Sequence, residues 1–303
     1  MADYHVVDWA KYQLSLKHEK PFFLAAGVWK PHDPWEVPQK YFDMYPLEDI
    51  VLPVYKEDDL EDAFDHGRRW IHKWVVDNQQ WGKVVQSYAA SITFADAMLG
   101  RLLNALENSA YAENTIVVLW SDHGMHMGEK DNIEKFTLWE RSTRVPLIIS
   151  VPGLTGAGSK CDQPVSLMDL YPTLVDLAGF DKPSHLDGNS LLPQIENLDR
   201  ETSPVVTSYG FGWTEELIIG HTVRSKRYRY IYYPEINLEE LYDHETDPNE
   251  WNNTAYKEAN GNVIDEHRRV LLDMLPHLSW KAGNPDGYTI DADGNVRKDN
   301  LCP

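Results

Sequence analysis

The sequence has 303 residues, 42% of them hydrophobic and 12% aromatic, with 48 acidic side chains against 28 basic ones and a formal charge of −20. That composition can bury a core and excludes wholesale disorder, while the charge excludes affinity for nucleic acid or anionic membrane surfaces. Two cysteines, Cys161 and Cys302, make no disulfide framework, and no run of about 18 apolar residues marks a membrane helix.

In chain order, residues 4–18 set Val6, Val7, Trp9, Ala10, Leu14 and Leu16 among polar residues and read as an amphipathic helix. Phe22–Gly27 reads as a short apolar strand. Pro31, Pro34, Pro38, Pro46 and Pro53 keep residues 28–56 extended and irregular. Residues 57–80 are charged and read as loops with short helices. From Val84 to Leu106, Tyr88, Ile92, Ala95, Leu99, Leu102, Leu103 and Leu106 recur at helical spacing, so a long helix with that face buried is expected. Strands follow at Ile116–Trp120, expected to be covered on both faces, and at Leu147–Val151. Ser166 is placed to cap a helix running to Leu177 that Gly179 stops, and Asp169 and Asp176 read as its solvated face. This alternation predicts a mainly parallel α/β sheet.

After Pro193 the pattern changes. Runs at Val205–Ser208, Leu217–His221, Tyr228–Tyr233 and Leu241–Tyr242 predict a small antiparallel sheet, with a helix at Asp265–Met274 packed on it. Tyr288-Thr289-Ile290 and Val296-Arg297 flank Asp293-Gly294, a hairpin turn. The expected division is an α/β part over residues 1–195 and a smaller antiparallel part over 196–303.

The chemistry gathers where the strand Ile116–Trp120 ends in Ser121-Asp122-His123-Gly124. Ligands of open α/β sheets collect beyond the carboxyl ends of strands, and a carboxylate next to an imidazole can grip one divalent cation. The alternative is a strand-to-turn junction with an Asx turn. His126 follows three residues later, and Lys135 lies in Glu134-Lys135-Phe136, either a preorganised cation for a developing negative charge or a surface lysine paired with Glu134 or Glu140. Glu129 is suited to accept loop amide hydrogen bonds. Upstream, His32 sits in Lys30-Pro31-His32 with Pro34 stiffening the exit. Trp29, Trp35 and Trp213 are candidate stacking surfaces for a sugar, Trp35 foremost.

Six separated motifs in order carry a resemblance over nearly the whole chain. They are Pro21–Gly27 leading to Lys30-Pro31-His32, the strand with Asp122-His123-Gly124, Gly128-Glu129 followed by Lys135, Val145-Pro146-Leu147-Ile148 with Pro152-Gly153, Asp187-Gly188-Asn189, and the late block Arg227–Ile231 to Asp243, Asp247-Pro248 and Asn252-Asn253. The chain resembles the sulfatase family of the alkaline-phosphatase superfamily, most closely its iduronate-sulfatase-like branch.

The resemblance implies an α/β fold with a mixed, mainly parallel sheet sandwiched by helices and a smaller C-terminal antiparallel subdomain. It implies a sulfuric-ester hydrolase acting on sulfated carbohydrates, with Asp122 and His123 holding Ca2+ or another divalent metal. Lys135 and His32 would be catalytic, and Lys30, Trp35 and His126 would contact substrate. A phosphodiester or phosphonate-ester hydrolase is the superfamily variant of that reading. The family's nucleophile is a formylglycine made from a Cys/Ser-x-Pro-x-Arg motif, which this sequence lacks: Cys161 is followed by Asp162-Gln163-Pro164. The expectation is therefore a chain carrying the C-terminal portion of the family domain, inactive alone, with a complementary N-terminal chain or a homo-oligomer completing it. Family members are exported or lysosomal, while Met1-Ala2-Asp3-Tyr4 shows no signal-peptide pattern.

Overall fold

The computed structural model describes residues 1–212 and 217–299. Its elements in chain order are α1 (Ala2–Ser15), α2 (Gln39–Phe42), α3 (Arg69–Asp77), α4 (Trp81–Glu107), β1 (Val117–Trp120), α5 (Glu140–Thr143), β2 (Leu147–Ser150), α6 (Leu170–Leu177) and α7 (Leu192–Glu196). Then come β3 (Val205–Phe211), β4 (Ile218–Arg224), β5 (Tyr228–Tyr233), β6 (Leu238–Asp243), α8 (Gly261–Met274), β7 (Tyr288–Ile290) and β8 (Val296–Lys298). The chain forms two compact units, one of residues 1–54, 71–117 and 150–153, the other of residues 55–70, 118–149 and 154 onward. No described helix is long and apolar enough to cross a membrane.

In the first unit α1 lies along α4, burying Val7 against Ala90, Phe94 and Met98, with the Tyr41 ring edge-on to Phe94 at 5.5 Å. The long helix is present, but its buried face differs from the expected one. Ala90, Ser91, Phe94, Ala95 and Met98 are buried, while Ile92 and Leu103 are exposed. Ala90, Phe94 and Met98 share a cluster with Val7 of α1, and that docking, not the leucine periodicity, sets the buried face. Phe22–Gly27 is not a strand, because no described segment pairs with it, and Phe23 is exposed.

In the second unit β3, β4, β5 and β6 form an antiparallel sheet in sequence order. β5 is buried on both faces, and its run of Tyr228, Tyr230, Ile231, Tyr232 and Tyr233 is interrupted by the buried, ion-paired Arg229. One face packs Val223, Tyr230 and Leu241 under Ile264 and Leu271 of α8. The other packs Ile231, Tyr233, Leu238 and Tyr242 against Leu138 and Trp139, and against Leu60, Ala63 and Phe64. The loop after β1 is thereby seated on the C-terminal sheet. β1 and β2 pair as a two-stranded sheet, and Trp120 and Ile148 are exposed, so β1 is not covered on both faces as expected.

The late turns follow the sequence closely. The β7–β8 hairpin turns at Gly294, whose φ is +76°. Ser166 and Asp169 form a reciprocal capping box before α6. Asp169 also accepts the Asn189 N–H at 2.8 Å, and Asp176 accepts the Ser190 hydroxyl at 2.6 Å. Asp169 is thus tied to the Asp187-Gly188-Asn189 turn and is not part of a solvated face, whereas Asp176 is exposed as expected.

Candidate active site

β1 delivers Asp122 and His123 at its carboxyl end. The Asp122 side chain is 85% exposed and its Oδ1 lies 3.9 Å from His123 Nε2. His123 Nδ1 lies 2.7 Å from the Gly124 carbonyl, a contact that assigns the proton to Nδ1 and the lone pair to Nε2. An oxygen and a nitrogen 3.9 Å apart fit two bonds of about 2.4 Å to one hard cation meeting at an open angle. The pair therefore fits a divalent ion. Gly124 is required by packing: a Cβ there would lie 2.1 Å from the Arg141 carbonyl oxygen, and its N–H donates to Ser142 at 2.8 Å.

Beyond the pair the loop folds onto a buried polar frame. Glu129 accepts the Met127 N–H at 2.8 Å and meets Arg141 at 3.1 Å, pinning the turn as its position implied. Lys130 and Asp131 follow in the left-handed region, with φ of 54° and 51°. Lys130 is buried, and its ammonium meets Asp59 Oδ1 at 2.7 Å and the Glu250 carbonyl, over the rings of Trp139 and Tyr242. A buried ammonium is tolerated only with such partners.

His126 is fully buried. Its Nδ1 faces the Glu129 carbonyl at 3.0 Å and its Nε2 faces the Thr137 hydroxyl at 2.8 Å. Burial drives its pKa down to about 3, so the ring is neutral and clamps the loop. The expected substrate contact has no surface to act through.

Lys135 is half-buried, its Nζ 5.5 Å from the Phe136 ring centroid. Glu134 and Glu140, weighed as its partners, are both held by arginines. Arg68 forks onto Glu134, and Glu140 takes Arg224 at 3.1 Å as well as Arg229.

In the other unit, the Asp3 carboxylate of α1 accepts the N–H groups of Trp29 and Lys30 at 2.9 and 3.2 Å and closes the loop that carries His32. The Lys30 ammonium is buried and donates to the His32 and Pro34 carbonyls, so it holds its own loop together. His32 is partly exposed, with Nδ1 2.9 Å from Asp33 Oδ1 and its ring 4.7 Å from Trp29. Trp35 donates Nε1–H to Pro31 at 2.9 Å and stands edge-on to Tyr88. Trp213 and Cys302 lie outside the described residues.

Sequence reasoning missed the ion-pair centre behind the loop. Among the described residues Glu140, His244 and Glu250 are the one group of three with metal-ligand types within reach of one another. Arg229 meets Glu250 Oε1 at 2.6 Å and also Glu140, while Arg224 lies 3.0 Å from His244 Nδ1. Two guanidinium groups already neutralise the two carboxylates, so this centre is a structural network. Burial opposes ionisation of Glu250, yet Arg229 and His244 hold its pKa down at about 2. The formylglycine chemistry has no counterpart here either, since Cys161 is an exposed thiol hydrogen-bonded to the Leu198 carbonyl.

With this geometry in place, comparison with known proteins is direct. The sulfatase family model matches residues 2–180, and the model described as N-sulphoglucosamine sulphohydrolase, C-terminal, matches residues 128–275. The chain is 39% identical over 292 residues to a sulfatase of Formosa agariphila, covering 93% of this chain and 55% of that protein. It therefore spans about half the length of that relative. A structure described as in complex with its substrate D-glucosamine-2-N,6-O-disulfate superposes with a TM-score of 0.77 at 22% identity, over 91% of this chain and 69% of the other. The phosphonate monoester hydrolase of Agrobacterium radiobacter gives a TM-score of 0.72 at 22% identity, over 97% and 63%. These two likenesses are likenesses of fold, α/β with a small antiparallel C-terminal sheet. The chain belongs to the sulfatase family.

Proposed function

We propose that this chain serves the hydrolysis of sulfate esters on a sulfated carbohydrate. The observation that carries the reading is the Asp122–His123 pair at the end of β1, with an exposed carboxylate and an imidazole lone pair 3.9 Å apart. Asp122 and His123 would hold a divalent cation, calcium by family, which when bound polarises the sulfate. Lys135 offsets charge developing on the sulfuryl oxygens, and His32 carries a proton for the leaving alcohol. Trp35 offers the sugar an aromatic face, while Lys30 keeps the His32 loop in shape. Residues 1–195 supply the α/β part of this reading and residues 196–303 the antiparallel part.

The nucleophile lies outside the residues of this sequence, which hold no Cys/Ser-x-Pro-x-Arg segment, and a complementary chain is one source of it. The exposed Trp120 and Ile148 on the two-stranded sheet support such a covering partner or a second copy. The sulfatase relative at 39% identity favours sulfate esters, and the phosphonate hydrolase match, one of fold, does not favour the other ester.

Calorimetric titration of calcium into the chain tests the reading. One cation per chain is expected, with affinity falling at least about tenfold in both Asp122→Ala and His123→Ala, on the scale of losing one ligand. Unchanged affinity in both variants, with the fold intact by circular dichroism, overturns the site. Aryl-sulfate turnover by the chain alone, surviving Cys161→Ala, overturns the external nucleophile.

A further inference from the structure

The ring of Phe136, next to Lys135, carries two cations. Arg68 Cζ stands 4.5 Å from the ring centroid and Lys135 Nζ stands 5.5 Å from it. The two charges therefore lie no more than about 10 Å apart. Arg68 is fixed in direction: Nε and Nη2 fork onto Glu134, Nη2 at 2.7 Å from Oε1, and the flat guanidinium rests on Phe136. A guanidinium has five N–H donors, and this fork uses two of them. Nη1 donates to no acceptor among the described residues. Tyr209 of β3 completes the surface, its ring 5.9 Å from Phe136 and edge-on to Phe211 at 4.9 Å. Phe136 and Tyr209 are both half-buried, so neither ring is sealed from solvent.

A fixed guanidinium edge beside a half-buried aromatic pair has the chemistry of an anionic sugar subsite. The exposed part of the Tyr209 ring, beside the Phe136 ring that carries Arg68 and Lys135, takes the apolar side of a pyranose. The preorganised donors take a carboxylate or sulfate oxygen with little further loss of side-chain freedom. Glu134 cancels much of the net charge of Arg68, so the contact rewards hydrogen-bond geometry more than bare charge. A singly sulfated sugar engaged at Lys135 leaves this edge to water. Two anionic substituents on one ring are separated by less than that upper bound.

We propose that Arg68, oriented by Glu134 and Phe136, is a specificity residue that reads a second anionic substituent on the sugar whose sulfate lies at Lys135. The proposal rests on the reading of the site as one for sulfated carbohydrates. The shared chemistry is a second anion, a sulfate or a carboxylate, and separate ligands distinguish the two.

The test is calorimetric binding by the whole chain with saturating calcium. The probes are glucosamine 6-O-sulfate, D-glucosamine-2-N,6-O-disulfate and a sulfated glucuronic acid. The unaltered chain is expected to prefer at least one doubly anionic sugar over the monosulfate by roughly tenfold, the scale of one charge-assisted hydrogen bond. Arg68→Gln should erase that preference and leave monosulfate affinity within about twofold, and Arg68→Lys should restore little of it, since a lysine lacks the fork. Equal loss of affinity for all three sugars in Arg68→Gln would reveal a purely structural arginine and overturn the proposal. So would a preference that survives Arg68→Gln, or no preference in the unaltered chain. If no sugar binds while calcium still binds through Asp122 and His123, the subsite is refuted and the cation site stands. Loss of calcium binding itself refutes the underlying reading instead.

Discussion

Arg229 Nε and Glu250 Oε1 lie 2.6 Å apart with side-chain exposures of 1% and 3%, and this pair ties the loop after β1 to the C-terminal sheet. Arg229 sits in β5 and also donates to the Leu138 carbonyl at 3.0 Å, while Glu250 Oε2 accepts the Glu140 N–H at 2.8 Å. The backbone between Lys135 and α5 is thus held by charges from a different part of the sequence.

Removing one member of such a pair strands the other in a low dielectric. Arg229→Met is expected to cost about 3–5 kcal/mol of unfolding free energy, because Glu250 and Glu140 lose their common cation. Adding Glu250→Gln should recover part of that loss. Urea unfolding of the single and double variants checks it, and a single variant within about 1 kcal/mol of the parent contradicts the account.

A second carboxylate gives a pH signature. Glu240 is buried among Trp139, Tyr242 and the Phe64 N–H, and burial pushes its pKa from 4.5 up to about 7 against those hydrogen bonds and Lys130. Between these values the folded state binds a proton that the unfolded state has released. Glu240 therefore stabilises the fold fully below pH 4.5, and that contribution declines as pH rises toward about 7, by about 1.4 kcal/mol per pH unit. Glu240→Gln should remove this decline, so the slope of stability against pH from 4.5 to 7 will be more positive in the variant than in the parent. Parallel profiles would rule out the buried titration.

Much of this arrangement was legible in the sequence. The β5 strand at Tyr228–Tyr233 was read residue for residue, because a β-prone run buried on both faces leaves no competing period. The cap at Ser166 was legible from its position, and Asp169 three residues on completes the capping signature, which the solvated-face reading overlooked. The buried face of α4 was not legible, since which stripe is covered depends on where α1 docks. His126 and Lys130 look like ordinary loop polar residues in sequence. Their burial follows from the loop folding back beside Trp139, a long-range event that local pattern does not encode. Arg229 and Glu250 are far from Lys135 in sequence, so no spacing rule connects them.

Gly124→Ala tests the approach of the motif loop to α5. The new Cβ would meet backbone, the Arg141 carbonyl oxygen at 2.1 Å, and no side-chain rotation can relieve that. A loss of about 1–3 kcal/mol is expected from the forced backbone shift, together with weaker calcium binding because Asp122 and His123 move with Gly124. Denaturant unfolding and calcium titration read the two effects separately. A variant with parental stability and affinity would mean that this close approach is absent in solution.

The final prediction sets His126 against Glu240. His126 has a folded pKa of about 3 against an ordinary 6.5, because burial disfavours the imidazolium. Between those values the unfolded chain binds a proton that the folded chain refuses, so this group makes stability fall as pH drops below 6.5. Its slope has the opposite sign to that of Glu240 and the same size, about 1.4 kcal/mol per pH unit. From pH 4.5 to 6.5 the two slopes cancel in the parent. His126→Leu removes one of them. The variant loses both ring hydrogen bonds and should be less stable throughout, by about 1–3 kcal/mol. Relative to the parent its stability should nevertheless rise as pH falls from 6.5 to 4.5, whereas that of Glu240→Gln should fall relative to the parent over the same interval. Slopes, unlike midpoints, are insensitive to the packing cost of each substitution, so the comparison isolates the protons. Two variants whose slopes depart from the parent's in the same direction would show that at least one of these groups titrates exposed to water, and the buried frame behind Asp122 and His123 would have to be redrawn.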